Sequence, residues 1–65
     1  MTTGERIRQI RLSKGMTQIE LGKRCGMADS RIGVYERGEN KPRPETLNRI
    51  AMALDVDPSV LETHN

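Results

Sequence analysis

Few side chains in this 65-residue sequence have types suited to covalent or metal chemistry. The one histidine, His64, lies in the C-terminal tail, and the one cysteine, Cys25, falls at a helix-core position with no base beside it. A single cysteine forms no intrachain disulfide, and a lone thiol in apolar register is far more often an inert core residue than a nucleophile. Asp55 and Asp57 suggest a cation site, but a helix end followed by an N-cap accounts for both. No glycine-rich phosphate loop is present. The sequence therefore points away from an enzyme, a metal, a cofactor and a small-molecule substrate. What remains is the chemistry of recognition, in the hydrogen-bonding and cationic side chains between Gln18 and Arg43.

Charge is divided unevenly along the chain. The overall balance is only +2, but residues 1–43 hold ten of the eleven Lys and Arg and five acids, a net of +5. Residues 44–65 set Arg49 against Glu45, Asp55, Asp57 and Glu62, a net of −3. A basic front and an acidic back suit a module that docks a polyanion with one face. No secretory leader and no long apolar stretch occurs, so a cytoplasmic protein without a membrane partner is expected.

Short helices must position these groups. Sixty-five residues make one domain, with a core of about 3–5 kcal/mol net stability. With no Trp or Phe and only Tyr35 as an aromatic, aliphatic side chains must do the packing. Thr2 and Glu5 fit a capping box for a first helix to about Lys14, with Ile7 and Ile10 inward and Gly15 ending it. Thr17 and Glu20 repeat the box for a second helix, which stops at Cys25-Gly26. A third spans Asp29 to Arg37, and the stretch 38–44 is a loop stiffened by Pro42 and Pro44. A fourth begins at Pro44 and carries Leu47, Ile50, Ala51 and Leu54 at helical spacing. Asp57-Pro58 starts a short fifth helix through Leu61. The expectation is an all-α, compact five-helix bundle with no strands.

Between Gln18 and Tyr35, two short helices meet at Gly26 and share the apolar residues Leu21, Cys25, Met27, Ile32 and Tyr35. Gly22 is small where the third helix must cross the second, and Gly26 can take the positive φ of a sharp turn. With Ile32 and Tyr35 inward on a helical wheel, Ser30, Val34 and Arg37 point away from the core. Asp29 and Gly33 lie on one flank and Arg31 on the other. Ser30 can bond several bases, Val34 can meet a thymine methyl, Asp29 can accept from cytosine, and Arg31 can pair with guanine. Two uses stand open for several of these. Asp29 can cap the third helix, Val34 can cover the edge of the core, and Gly33, which costs the helix about 1 kcal/mol relative to Ala, can allow close approach to DNA or do nothing.

The sequence resembles the phage repressor and Cro-type helix-turn-helix family, the XRE family. The resemblance rests on Ile7-Arg8-Gln9-Ile10-Arg11, Lys14-Gly15-Met16-Thr17-Gln18, Glu20-Leu21, Gly26-Met27, Ile32, Tyr35-Glu36-Arg37-Gly38 and Pro42. It continues through Glu45-Thr46-Leu47-Asn48-Arg49-Ile50-Ala51 and Ala53-Leu54. It implies a helix-turn-helix over about 17–37, with the third helix in the major groove of double-stranded DNA. Base contacts would come from Ala28, Asp29, Ser30, Arg31, Gly33 and Val34, with Ala28 standing where the family commonly has a Ser or Thr cap. Phosphate contacts would come from Gln18, Arg37, Asn40, Lys41 and Arg43. Solvated loop charges are the alternative for Lys41 and Arg43, and Pro42-Arg43-Pro44 is stiffer than the family's usual loop. Arg11 and Glu36 would form a buried structural ion pair.

Such domains commonly act as transcriptional repressors and pair on two-fold operators. A homodimer through Met52, Val56, Val60 and Leu61 is therefore expected, although closing the base of the bundle is an equal use for these residues. The competing functions on the same fold are an antitoxin or controller and a protein-interaction module.

Overall fold

The computed structural model describes residues 1–62; His64 lies outside them. Five helices follow one another: α1 Thr3–Ser13, α2 Gln18–Cys25, α3 Asp29–Glu36, α4 Pro44–Leu54 and α5 Pro58–Leu61. Among the described residues there is no strand. No helix is long and apolar enough to cross a membrane.

Local chemistry sets most of the boundaries. Both capping boxes form: Glu5 N–H donates to Thr2 Oγ1 at 3.1 Å while Thr2 N–H donates to Glu5 Oε1 at 2.8 Å. Thr17 and Glu20 make the same exchange at the head of α2. Asp57 caps α5, accepting from Ser59 N–H at 2.9 Å. Gly26 closes α2 with φ +73°, and Met27 N–H reaches back to the Gly22 carbonyl at 2.8 Å. α4 ends in the same geometry, but with Asp55 as the left-handed residue at φ +59°. Asp tolerates that conformation through its short polar side chain.

α3 starts at Asp29, as expected, and the two uses left open for Asp29 are separated. Ala28, not Asp29, occupies the N-cap of α3, and no side chain caps it. Asp29 is the first helical residue, so its carboxylate is left to the helix dipole and to whatever binds there.

The core is a single aliphatic cluster drawn from all five helices. Ile7, Leu21, Ile32, Ile50, Ala51, Leu54 and Leu61 are sealed from solvent, with Cys25, Tyr35 and Leu47 nearly so. Leu61 corrects one sequence expectation. It is buried within the monomer and closes the base of the bundle, so it has no surface to offer a second copy. Val56 is half-buried against the same cluster, whereas Met52 is 80% exposed and Val60 41%. Ile10, expected inward, is only half-buried.

α1 lies close to the end of α3. A Cβ on Gly4 would fall onto the Tyr35 carbonyl oxygen and 2.9 Å from that of Glu36. Beside this contact a buried ion pair joins the two helices. Arg11 Nε donates to Glu36 Oε2 at 2.6 Å and Nη2 to Oε1 at 3.0 Å, and the residues are each 7% exposed. The third arm, Nη1, donates to the Met16 carbonyl at 2.8 Å, tying in the α1–α2 turn. The Glu36 carboxylate pushes the Arg11 guanidinium pKa further above its usual value. The pair expected from the resemblance is thus present, and both of its residues are buried.

Three outcomes follow for stability. Arg11→Ala strands the Glu36 charge in the interior and is expected to cost about 3–5 kcal/mol, enough to unfold a domain of this size. A urea midpoint shift worth less than ~1 kcal/mol would place the pair in the solvent-screened class instead. Gly4→Ala gains about 1 kcal/mol in helix propensity, but its Cβ meets backbone that cannot swing aside. A net loss of about 1–3 kcal/mol is expected by thermal melting. Finally, the Glu5 and Asp57 pKa values are lowered, chiefly by accepting backbone N–H bonds from Thr2 and Ser59. Folded values below unfolded ones mean stability that is full above the unfolded pKa and lost as pH falls through the folded one. The melting temperature should therefore hold from about pH 8 to about pH 5 and decline below ~4, less steeply in a Glu5→Gln, Asp57→Asn double variant.

Candidate nucleic-acid interface

α2 and α3 pack on one another across the Gly26 turn, with Gly22 against the backbone of the turn at Met27–Asp29. A Cβ on Gly22 would stand 2.5 Å from the Met27 carbonyl oxygen, so the small residue permits this close approach. Ile32 and Tyr35 anchor the inner face of α3 in the core. The outer face carries Asp29, Ser30, Arg31 and Arg37, all exposed, and half-buried Val34. Ala28 is exposed beside them at the N-cap.

Arg31, Val34, Tyr35, Asn40, Lys41, Arg43 and Thr46 line one open groove between α3, the 38–43 loop and the start of α4. Five of the seven are residues singled out in sequence, two for bases and three for phosphates. Arg43 is extended, at φ −67° and ψ 159°, as the N-cap of α4. Every charge lining this groove is positive. Tyr35 and Thr46 were not anticipated as part of it. The spacing of Tyr35 predicts a core residue, and it is indeed buried, but its hydroxyl accepts from Arg31 Nε at 3.2 Å. That bond raises the Arg31 pKa and orients the side chain along the helix. Tyr35 is thus both a core residue and a support for the interface. The Arg31-to-Tyr35 spacing of four, one helical turn, was the available signal.

On the other flank stand Gln18, Gly33 and Arg37. Gln18 is half-buried, and its Nε2 donates to Glu36 Oε1 at 3.1 Å, which extends the buried ion pair to the surface. Arg37 Nε donates to Glu39 Oε2 at 2.5 Å in an exposed pair that lowers the Glu39 pKa. Glu39 had drawn no attention in sequence. Gly33, expected on an open flank, is buried, with Arg37 and Gln18 side-chain atoms over it.

The remaining reactive side chains stay apart from this surface. Cys25 is 3% exposed with its thiol toward the Arg49 carbonyl, and burial pushes its pKa up, which favours the neutral thiol. Among the described residues, no three His, Cys, Asp or Glu side chains gather as a cation site.

This helical fold has counterparts among known proteins. Residues 7–61 match the helix-turn-helix family. The immunity repressor of Bacillus phage phi105 is 33% identical over 61 residues, 94% of this chain and 42% of the repressor. The chain spans between 27% and 42% of the length of the curated relatives it matches. In structure it is similar to the P22 c2 repressor in complex with a synthetic operator, with a TM-score of 0.91 at 34% identity, covering 100% of this chain and 98% of that one. It is also similar to the restriction-modification controller protein of Aeromonas hydrophila, with a TM-score of 0.88 at 34% identity over 91% of this chain and 89% of the controller. With that match over nearly its whole length, the chain belongs to the helix-turn-helix family, of the phage-repressor (XRE) type.

Proposed function

We propose that this chain is a sequence-specific, double-stranded-DNA-binding domain of a transcriptional repressor that acts as a homodimer on a two-fold operator. The observation that carries this reading is the groove in which Arg31 and Val34 stand beside Asn40, Lys41 and Arg43 without an acidic residue. The phage repressors among its relatives support it. So does the fit to a repressor structure described in complex with its operator.

The mechanism follows from dimensions and chemistry. An eight-residue helix is about 12 Å long, and the B-DNA major groove is about 12 Å wide. α3 enters with its uncapped first turn leading. Asp29, Ser30 and Arg31 meet base edges, and Val34 meets a thymine methyl one turn later. Ala28, exposed at the N-cap, contributes closeness rather than a hydrogen bond, and Gly33, covered by Arg37 and Gln18, makes no base contact of its own. Gln18 and Arg37 on one flank, with Asn40, Lys41 and Arg43 on the other, contact the phosphates and fix the register.

A single α3 reads only a few base pairs, so two copies are needed, with half-sites about 34–36 Å apart. Met52 and Val60 supply the exposed apolar surface for pairing, with Val56 at its edge. Asp55 and Asp57 border the same surface, and in a two-fold contact they bring like charges together. The free dimer is therefore weak, and DNA completes it. The same reading places the protein in the cytoplasm, where the operator is.

A second reading is favoured by one observation, the likeness to a restriction-modification controller. It keeps the DNA contact and changes only which genes are controlled.

Selection from a random duplex pool tests the proposal, followed by titration of the winning site at several salt concentrations. A palindromic consensus is expected. Arg37, Lys41 and Arg43 from each of two copies give a log–log salt slope of roughly −5. Met52→Asp should reduce occupancy of the full palindrome while leaving half-site binding intact. A pool without enrichment would remove the DNA-binding reading in favour of a protein-interaction module. A monomer on the palindrome in ultracentrifugation would remove the dimer.

A further inference from the structure

Gly33 is the one glycine inside α3, and the backbone does not require it. Its φ lies outside the left-handed region, unlike Gly15, Gly26 and Gly38. The other two helical glycines are explained by a neighbouring main chain: Gly4 by the Tyr35 carbonyl and Gly22 by that of Met27. At Gly33 the three atoms nearest to an added Cβ all belong to side chains. Arg37 Nη1 would lie at 2.9 Å, and Gln18 Nε2 and Oε1 at 3.6 Å each. A guanidinium from one end of α3 and a carboxamide from the head of α2 therefore flank the space that the missing methyl leaves.

Each is held from outside the notch as well. Gln18 is fixed from beneath, its Nε2 on Glu36, whose carboxylate the buried Arg11 secures. Arg37 is held from the solvent side by Glu39, in a pair whose side chains are 59% and 56% exposed. An exposed pair of this kind exchanges partners readily.

We infer that Gly33 is a positioning residue: its notch seats the Arg37 guanidinium beside the Gln18 carboxamide so that both bind one DNA phosphate together, with Glu39 holding Arg37 until that phosphate replaces it. The inference rests on the DNA-binding function proposed above and names the residue that sets the geometry of one backbone contact. A guanidinium and an amide presented from two helices offer a phosphate several converging N–H donors. Any larger residue at position 33 lifts the guanidinium from its seat. Glu39 competes for the same cation, so the free protein presents that contact partly neutralised.

The test compares G33A, R37A, their double variant and E39Q on the selected DNA site, with melting temperatures measured alongside. Only flexible side-chain ends stand in the way of an alanine, and helix propensity favours it, so G33A should melt about 4–8 °C higher than the parent. It should nevertheless bind DNA about tenfold more weakly. R37A should cost about tenfold in the parent and little in the G33A background, because the two changes remove one contact. E39Q should bind about two- to fivefold more tightly at low salt, converging with the parent as salt rises. Equal affinity of G33A and the parent would overturn the inference, and so would an unchanged R37A penalty in the two backgrounds. A lower melting temperature for G33A would also overturn it, since that would mean backbone fills the notch. A parent without salt-dependent affinity for duplex DNA would overturn the DNA-binding function itself.

Discussion

Glu36 sits at the end of α3 and accepts hydrogen bonds from Arg11 twice and from Gln18 once, while the third arm of Arg11 binds the Met16 carbonyl. One carboxylate thus ties together α1, the turn after it, the head of α2 and the tail of α3. Removing two charges from water costs several kcal/mol per ion, and only near-complete hydrogen bonding offsets it. That demand is severe in a domain with a small aliphatic core. It is also what makes the arrangement specific: a different tilt of α3 against α1 or α2 would leave a buried charge without its partners. The ion pair therefore fixes the angle at which the outer face of α3 is presented, something a set of interchangeable leucines and isoleucines would leave looser.

The same network carries order from the interior to the surface. Gln18 has one end of its carboxamide in the buried cluster and its body at the flank of α3. Tyr35 does the equivalent on the other flank, its ring in the core and its hydroxyl on Arg31. The cations on the two flanks are thus positioned unequally. Arg31 is held by Tyr35 one turn along α3, and Arg37, on the opposite flank, by Glu39 beyond the helix end. Lys41 and Arg43 depend on the stiffness of a loop, where Pro42 is buried and Pro44 opens α4. Arg31, Lys41 and Arg43 share one groove, and Asp55 and Asp57 lie near the exposed Met52.

Most of the fold was legible in the sequence because its boundaries are written in local chemistry. Thr2 with Glu5, Thr17 with Glu20, Gly26, and Asp57-Pro58 each act within a few residues of themselves. Leu47, Ile50, Ala51 and Leu54 announced their face by spacing alone, and all four are buried. Legibility stopped where the outcome depended on residues far apart in the chain. A helical wheel gave Gly33 an angle but not the Arg37 and Gln18 side chains that cover it. Leu61 looked equally able to close the bundle or to pair with another copy, and only its place beneath the core separates the two. Asp29 carried the residue type of a cap, and its type alone left open whether it capped α3; it is the first helical residue, behind Ala28. Arg11 and Glu36, twenty-five positions apart, came from the family resemblance; their periodicity alone contains no sign of the pair.

The bare start of α3 has a consequence of another kind. Residues 28–31 are all exposed, and no side chain there caps the helix; among the described residues, their one side-chain bond is that of Arg31 to Tyr35. The fold takes almost nothing from this turn, so mutation can sample it with little risk to folding. In evolutionary terms, the address and the chassis are separately heritable. On the DNA-binding reading proposed above, a duplicated gene can drift toward a new target site through a handful of codons while every residue that holds the bundle together stays under its old selection.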